Sequence, residues 1–179
     1  MMDKKQGNLI DLALQGHFGV IAHGCNCFHV MGAGIAKAVK ETFPEAWAAD
    51  KATKKGDRNK LGSLSSATIH LPEKSAESAK SVTVANLYTQ FRWGPASPAA
   101  GETQESRYDA IRKALTGLRK LAAGRPTGLP RIGAGLAGGD WKIISEIIGE
   151  VFPEATVVEL PAQPHKEQRP PGGQELSPA

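Results

Sequence analysis

Two glycine-rich segments, each lying between an apolar run and a helical pattern, constrain the fold of this chain most. Residues 23–34 follow the apolar run 18–22 and precede a helical pattern that begins at Ile35 and is limited by Pro44. Residues 132–139 follow a second short apolar run and precede isoleucines at helical spacing. An apolar run, a glycine-rich turn and a helix in this order are typical of the strand–loop–helix units of α/β proteins.

Other periodicities predict further strands and helices of the same kind. Apolar and polar residues partly alternate over 61–71 and 82–87, and 156–160 is rich in β-branched residues, so each range is predicted to be a strand. Residues 108–122 carry an apolar stripe that predicts an amphipathic helix. Strands separated by such helices indicate an α/β fold with a mixed or parallel sheet and helices on both faces. In these sheets ligands bind at the carboxyl ends of the strands.

Length and composition indicate one globular domain followed by a tail. The chain has 179 residues, of which 40% are hydrophobic and 22% charged, as in an ordinary single domain. Residues 161–179 contain five prolines and only one large aliphatic side chain, too little apolar surface to offset the entropy of ordering. We therefore expect a domain over residues 1–160 and a disordered tail over 161–179.

The net charge indicates a class of partner, and the cysteine content indicates a cellular compartment. The net charge of +4 suits a phosphorylated or polyanionic partner without identifying one. Cys25 and Cys27 are one residue apart and form no disulfide framework, and the first residues lack the apolar segment of a signal peptide. No apolar run reaches the ~18 residues that a membrane span needs. The expectation is a cytoplasmic protein, a monomer by default, with no membrane partner.

Both glycine-rich segments have the features of anion-binding turns. Small residues let the backbone approach a ligand closely, and the free amides at the N-terminus of the following helix attract phosphate. Neither segment is a Walker A loop or a complete Gly-x-Gly-x-x-Gly fingerprint, and a single turn of this kind is equally typical of tight strand–helix packing. Two such turns in one small domain predict a diphosphate held between them.

Three motifs, taken in order, resemble those of a macro domain. They are Lys5-Gln-Gly-Asn-Leu9, then His23-Gly-Cys-Asn-Cys27 with Met31-Gly-Ala-Gly-Ile-Ala36, and finally Leu129-Pro-Arg-Ile-Gly-Ala-Gly-Leu136. The His-x-Cys-Asn-Cys segment, Asn8 and Trp141 make the chain similar to the branch that contains the yeast-type ADP-ribose 1''-phosphate phosphatase and related phage and bacterial proteins. The resemblance extends from about residue 7 to residue 160. It implies a three-layer α/β/α sandwich, with a mixed central sheet, that binds ADP-ribose in a cleft.

The resemblance also implies a place for each binding residue. Asn8 and the backbone amide of Leu9 would lie beside the adenine, with the Asn8 side chain accepting from the adenine amino group. Asn26 would face the distal ribose. The two sides of the diphosphate would be lined by Gly32, Ala33, Gly34 and Ile35 and by Gly133, Ala134, Gly135 and Leu136.

His23, Asn26 and Asp140 are the candidate catalytic residues. In the phosphatase branch the histidine that matches His23 is implicated in catalysis, as a general acid for the leaving sugar oxygen or as a group that activates or orients water. The alternative is a histidine that hydrogen-bonds the loop and maintains its shape. Asp140 is either the N-cap of the isoleucine-rich helix or a carboxylate that orients water near the ribose. His29 is a weaker catalytic candidate in the same loop.

A lysine-dependent mechanism, which a related branch uses to remove ADP-ribose from glutamate side chains, is not expected. That branch has a lysine after the strand and an aspartate in the second glycine loop. Gln90 or Phe91, and Ala137, occupy these places here. The chain therefore offers neither the amine nucleophile nor the acid of that mechanism.

No metal and no cofactor are expected. Cys25 and Cys27, with the histidines on either side of them, do not have the spacing of a structural zinc site. We expect one of these thiols to pack beneath the loop and the other to lie near solvent.

Two further segments have open interpretations. The aromatic-Arg-aromatic stretch 91–95 either rims the cleft over the distal ribose or forms a small satellite core. The basic segment 51–60 is most simply a solvated loop or helix end, and the alternative is long-range attraction for phosphates or nucleic acid.

Three functions follow from the resemblance, and all three include ADP-ribose binding. The first is a metal-free hydrolase that removes the 1''-phosphate from ADP-ribose 1''-phosphate. The second is a hydrolase that removes ADP-ribose from a modified nucleic acid or protein. The third is a reader module without catalysis. A nucleic-acid binder that is indifferent to ADP-ribose is a fourth, weaker possibility based on the basic segment alone.

Overall fold

The computed structural model describes residues 3–72 and 80–161 of the chain. Between the two strands predicted over 61–71 and 82–87 the sequence is polar, and most of that turn lies outside the described residues, as does all of the expected tail beyond residue 161. Within the described ranges, no helix has the length and apolar character needed to cross a membrane.

Six strands form one mixed sheet in the order β1-β6-β5-β2-β4-β3. All neighbouring strands run parallel except β3 and β4, which form an antiparallel pair at one edge. The strands are β1 (Asp3–Gln6), β2 (Val20–Asn26), β3 (Leu64–His70), β4 (Ser81–Gln90), β5 (Thr127–Leu129) and β6 (Thr156–Glu159).

Helices cover both faces of this sheet, so the predicted three-layer α/β/α sandwich is confirmed. The helices are α1 (Leu9–Leu14), α2 (Gly34–Thr42), α3 (Pro44–Lys51), α4 (Gln104–Ala122) and α5 (Trp141–Val151). Alternate residues of the central strands point to opposite faces. In β2, Ala22 packs with α4 and α5, whereas Ile21 packs with α1, α2 and α3.

The sequence patterns found most of these elements but missed three. Strand β1 is exposed along its whole length and has no apolar alternation to reveal it. Helix α1 is only six residues long, and its start is fixed by Asn8, whose side chain accepts hydrogen bonds from two backbone amides. Pro44 does limit the helix that precedes it, as predicted, but it also begins α3, because proline suits the first turn of a helix.

Candidate functional site

A cavity of about 570 Å³ lies at the carboxyl ends of β2, β4 and β5. This position is the one that parallel α/β sheets favour for ligands, and the volume lies within the usual range of ~300–1,000 Å³ for ligand sites. Three segments surround the cavity: the loop after β2 with the start of α2, the residues after β4, and the glycine-rich loop after β5. Its walls are mainly apolar side chains and backbone.

An irregularity between β2 and β4 shapes the floor of the cavity. Cys25 pairs with Tyr88 but Asn26 pairs with Gln90, so Thr89 is the extra residue of a bulge. The buried Thr89 and Gly24 on the neighbouring strand both line the cavity. A Cβ on Gly24 would lie only 3.0 Å from the Thr89 hydroxyl oxygen, so the two strands can approach at this point because Gly24 has no side chain.

Asn26 builds the loop that follows β2. Its Oδ1 accepts from the amides of Phe28 at 2.9 Å and Val30 at 3.3 Å, and its Nδ2 donates to the Val30 carbonyl at 2.9 Å. These bonds support a backbone in which His29 has a φ of 60°, an uncommon value for a residue with a side chain. Asn26 lines the cavity as expected, but its amide group is engaged with its own loop.

The N-terminus of α2 opens into the cavity. Ala33 is the N-cap and makes no side-chain cap, and the first main-chain bond of the helix runs from the Lys37 amide to the Ala33 carbonyl. The amides of Gly34, Ile35 and Ala36 therefore have no partner within the helix. All four of the residues that the sequence assigns to this side, Gly32, Ala33, Gly34 and Ile35, line the cavity.

The second glycine-rich loop forms the opposite wall. It is closed by main-chain bonds, among them Gly139 N–H to the Gly133 carbonyl at 2.9 Å. At Gly139 a Cβ would lie 2.6 Å from that carbonyl oxygen, so this approach requires glycine. Gly133, Gly135 and Leu136 line the cavity as predicted, whereas Ala134 packs against the core instead.

Asn8, Leu9 and Asp140 do not line this cavity. Asn8 is the exposed N-cap of α1, with its Oδ1 2.9 Å from the Ile10 amide, and the Leu9 side chain is buried in the core beneath it. Asp140 is the N-cap of α5, and its carboxylate accepts from the Lys142 amide at 2.8 Å. The geometry therefore supports the interpretation of Asp140 as a helix N-cap.

His23 lies beneath the cavity and does not reach it. The side chain is 1% exposed, and its Nε2 is 2.8 Å from Asn86 Oδ1. Asn86 in turn donates from Nδ2 to the Ala46 carbonyl, so the pair connects the sheet to α3. Burial lowers the pKa of His23, although the Asn86 bond and the charge of Asp50 act in the opposite direction. This geometry gives His23 a structural role that differs from the expected one, because its bond goes to β4 and not to the loop. A direct role in proton transfer stays a prediction.

His29 also lies away from the cavity walls. Its Nε2 is 3.1 Å from the Thr53 hydroxyl, and the residue is half-buried. Burial is the main cause of a lowered pKa at His29. No geometric feature supports a catalytic role for it.

The two cysteines correct one expectation. Both are free thiols and both are buried, Cys25 5% and Cys27 0% exposed, so the prediction that one lies near solvent is wrong. Both pack with Tyr88 and Phe91 under the loop. Burial raises the pKa of Cys25, and it raises the pKa of Cys27 to about 11, so neither is a reactive thiolate near neutral pH.

The segment 91–95 is divided between a satellite core and the wall of the cavity, and its position relative to the distal ribose stays a prediction. Phe91 is buried in a small cluster with the ring of Phe28, 4.9 Å away between centroids, which is a satellite core. Trp93, Gly94 and Pro95 line the cavity, and Trp93 is 56% exposed at its mouth. Aromatic residues near a strand end are a signal for such a rim, but only the tertiary structure shows which of them turns outward.

Sequence reasoning did not assign nine of the residues that line the cavity. These are Gly24, Val30, Ala36, Thr89, Gln90, Pro130, Arg131, Ile132 and Ala137. Within the described part of the chain, Arg131 has the only charged side chain that lines the cavity. It stacks over Trp141, 4.8 Å from the ring centroid. A charged residue directly after a strand that enters a glycine loop is the signal that was available for it.

Comparisons with known proteins agree with this architecture. No family model matches the chain. An uncharacterized 17.5 kDa protein from the tk-vs intergenic region of Enterobacteria phage T4 is 35% identical over 164 residues, 89% of this chain and 95% of the phage protein.

Several solved structures share the fold. The macrodomain of Mycobacterium tuberculosis DarG is 23% identical with a TM-score of 0.61, over 91% of this chain and 99% of that one. A macrodomain protein from Streptomyces coelicolor is 26% identical with a TM-score of 0.59, over 89% and 99%. Thermosipho africanus DarTG in complex with ADP-ribose is 18% identical with a TM-score of 0.59, over 96% and 44%. The chain therefore belongs to the family of the phage T4 protein, and its fold is that of a macro domain.

Proposed function

We propose that this macro domain binds ADP-ribose, with the diphosphate held between the start of α2 and the loop after β5. The observation that carries the proposal is the uncapped N-terminus of α2, which faces a second glycine-rich loop across a cavity of about 570 Å³. Unpaired amides and the helix dipole favour a diphosphate at this place. The ADP-ribose complex of the similarly folded Thermosipho africanus DarTG supports the choice of ligand.

The chemistry that we propose for this site is hydrolysis of ADP-ribose 1''-phosphate to ADP-ribose and inorganic phosphate. Water attacks phosphorus, the bond between phosphorus and the sugar oxygen breaks, and a proton of the water ends on that oxygen. Among the described residues that line the cavity, none is a histidine, carboxylate, lysine or cysteine. The contribution of this chain would therefore come from preorganised amides and from polar side chains such as Thr89 and Gln90, which position water and stabilise charge.

His23 has a supporting part in this proposal. Through Asn86 it links the middle of β2 to β4, just before Gly24, Asn26 and Thr89, which line the cavity. A positioning residue of this kind acts on the rate through geometry and not by proton transfer. Replacement by Gln, which keeps a hydrogen-bonding group, is then expected to retain most activity, whereas replacement by Ala is expected to lose it.

Phosphate release from ADP-ribose 1''-phosphate, measured with a chelator present, tests the proposal. Wild type, His23→Gln and His23→Ala are compared, with ADP-ribose affinity measured by calorimetry on each protein. Release by the wild type supports the phosphatase. Binding of ADP-ribose without release contradicts the phosphatase and leaves a reader or a hydrolase of modified macromolecules. Absence of binding by the folded wild type contradicts the whole proposal.

A second candidate, removal of ADP-ribose from a modified nucleic acid, is favoured by one surface. Five exposed cations lie within residues 51–58 and at residue 92, and within the described chain none has a carboxylate within 4 Å. We call them the basic rim; they are Lys51, Lys54, Lys55, Arg58 and Arg92.

The basic rim adjoins the cavity through a shared aromatic cluster. Arg92 lies over the ring of Phe28, 4.6 Å from its centroid, and Arg58 lies 3.9 Å from the centroid of Phe91. The Phe28 ring is in edge contact with Trp93, which lines the cavity. A polyanion carrying the ADP-ribosyl group would therefore contact positive charge at this mouth.

An ADP-ribosylated oligonucleotide distinguishes this candidate from the first. The double variant Lys54→Glu/Lys55→Glu is expected to weaken its binding, and to flatten the salt dependence, without changing the affinity for free ADP-ribose. Lys113→Glu/Lys120→Glu, on exposed positions of α4 in the other helix layer, is the matched control. Equal effects of the two double variants would exclude a specific role for the basic rim.

A further inference from the structure

A buried ion pair contacts two segments of the cavity wall, which we call the rim segments: residues 91–95 after β4 and the glycine-rich loop after β5. Arg107 in α4 and Glu102 just before it have side chains that are each 2% exposed, and Nη2 of the arginine is 2.7 Å from Oε2 of the glutamate. Arg107 occupies the position one turn before Ile111 on the buried stripe of α4, where a hydrophobic residue is usual. Neither residue lines the cavity.

The guanidinium of Arg107 holds carbonyl oxygens from both rim segments. Nη1 donates to the carbonyls of Gly94 at 2.6 Å and Ala137 at 3.1 Å, and Nη2 donates to the carbonyl of Arg92 at 3.2 Å. Glu102 adds a bond at the start of the first segment, where its Oε1 accepts from the Phe91 amide. One side-chain pair thus connects the segment after β4 to the glycine-rich loop after β5.

The consequence of this pair is chiefly geometric. Burying two charges costs hydration energy that their attraction roughly offsets, so a buried pair adds little net stability. Nε of Arg107 is also buried and has no hydrogen-bond partner among the described residues, which is a further cost. What the pair provides is a planar fork of donors that fixes the distance between two loops. Those loops carry Trp93 and Leu136, two exposed apolar side chains of the cavity wall.

We propose that Arg107 and Glu102 are positioning residues that fix the width of the cavity mouth and thereby determine the affinity and specificity of the site for its ligand. The expected effect on affinity rests on the proposed binding of ADP-ribose. The ordering of the two loops by the ion pair does not depend on that proposal. The hydrogen bonds of the pair to other residues go to 91–94 and 137 and not to α2, so its removal is expected to free the loops without altering the anion-binding start of α2.

The test separates geometry from stability by replacing the pair as a unit. Arg107→Met/Glu102→Met keeps a comparable apolar volume and leaves no unpaired charge, so the protein is expected to fold. Its melting temperature is expected to be lower than that of the wild type, because three carbonyls and the Phe91 amide lose their hydrogen-bond partners. Its affinity for ADP-ribose is expected to fall about tenfold or more, because the rim no longer has one preferred geometry. Hydrogen exchange of the amides in 91–95 and 135–138 is expected to accelerate.

Two further variants complete the experiment. Arg107→Lys retains the charge but not the fork of donors, and is expected to bind more weakly than wild type with a similar melting temperature. Arg112→Lys is the control, because Arg112 lies in α4 as Arg107 does, but forms an exposed ion pair with Glu150 of α5 at 2.6 Å. Its exchange rates and affinity are expected to equal those of the wild type.

The outcomes decide the proposal in each case. The proposal is overturned if the double variant and Arg107→Lys both fold, bind ADP-ribose as tightly as the wild type and show unchanged hydrogen exchange at both loops. If the wild type itself does not bind ADP-ribose, the proposed function fails, and the exchange rates still decide whether the ion pair orders the rim. A double variant that does not fold would show that the pair is needed for stability; Arg107→Lys then carries the test.

Discussion

The side chain of Asn26 makes three hydrogen bonds, all within the loop that it begins. The backbone amides of Phe28 and Val30 donate to this side chain, and the Val30 carbonyl accepts from it. Because Val30 lines the cavity, the same bonds that stabilise the loop also place one wall of the site. A single residue therefore couples local folding to binding.

Replacing Asn26 by Ala is expected to reduce the free energy of unfolding by about 1–3 kcal/mol, because buried backbone groups lose their partner. Affinity for ADP-ribose is expected to fall as well. Asn26→Asp retains the acceptor for both amides but places a carboxylate oxygen opposite the Val30 carbonyl oxygen, so it is expected to lose stability as well. Urea denaturation and calorimetry on the three proteins check this; an Ala variant with wild-type stability and affinity would contradict it.

His23 predicts a pH dependence of stability whose sign follows from its burial. Burial lowers its pKa in the folded protein, with the Asn86 bond and the Asp50 charge in partial opposition, whereas an unfolded histidine titrates near ~6.5. Below pH ~6.5 the unfolded chain therefore binds more protons, and stability falls as pH decreases toward the folded pKa.

Between pH 7 and 5.5 the wild type is expected to lose more stability than His23→Gln loses, measured by urea denaturation. His70→Gln, at an exposed position of β3, is the control and should follow the wild type. Parallel pH profiles for wild type and His23→Gln would show that His23 is not the group responsible.

At the scale of elements, the second glycine-rich loop depends on a backbone approach that only glycine permits. A Cβ on Gly139 would lie 2.6 Å from the Gly133 carbonyl oxygen and 2.8 Å from a methyl of Ile144. The loop must therefore shift if any side chain is introduced. Since Gly133 lines the cavity, that shift reaches the site.

Gly139→Ala is expected to destabilise the protein by about 1–3 kcal/mol and to weaken ADP-ribose binding. Gly149→Ala is the matched control: it lies exposed in α5, and an added Cβ meets nothing within 4 Å. This control should stabilise the protein by about 0.5–1 kcal/mol, the usual gain for alanine over glycine in a helix. Thermal unfolding of both variants gives the comparison, and similar losses in both would refute the steric argument.

At the scale of the whole molecule, the domain has two hydrophobic cores, one on each face of the sheet. β2 contributes to both, with Ala22 in one core and Ile21 in the other. The cavity lies at the carboxyl end of the same strand. A loss in either core is therefore expected to affect the entire domain.

Ile147→Ala, at a residue 1% exposed in α5, is expected to cost about 2–5 kcal/mol and to preserve a single cooperative transition. Ile143→Ala, 39% exposed on the same helix, is expected to cost much less. Circular dichroism and tryptophan fluorescence followed in parallel check this. Two separated transitions would indicate that the layers unfold independently.

The sequence by itself determined the longer strands and helices, the two glycine-rich turns and seven of the eight residues that it assigned to the two sides of the cavity. It could do so because these features depend on local periodicity and on residues adjacent in the chain. The N-cap role of Asp140 was likewise available from its place before the isoleucine-rich helix. Short elements without an apolar pattern, such as β1, carried no comparable signal.

Only the tertiary structure decided which side chains face the cavity. His23 and Gly24 are neighbours in β2, yet alternation directs the histidine beneath the sheet while the glycine borders the site. Likewise, the ion pair of Arg107 with Glu102 joins the segment after β4 to the loop after β5. Those contacts join residues up to 30 positions apart, so packing, and not local pattern, sets them.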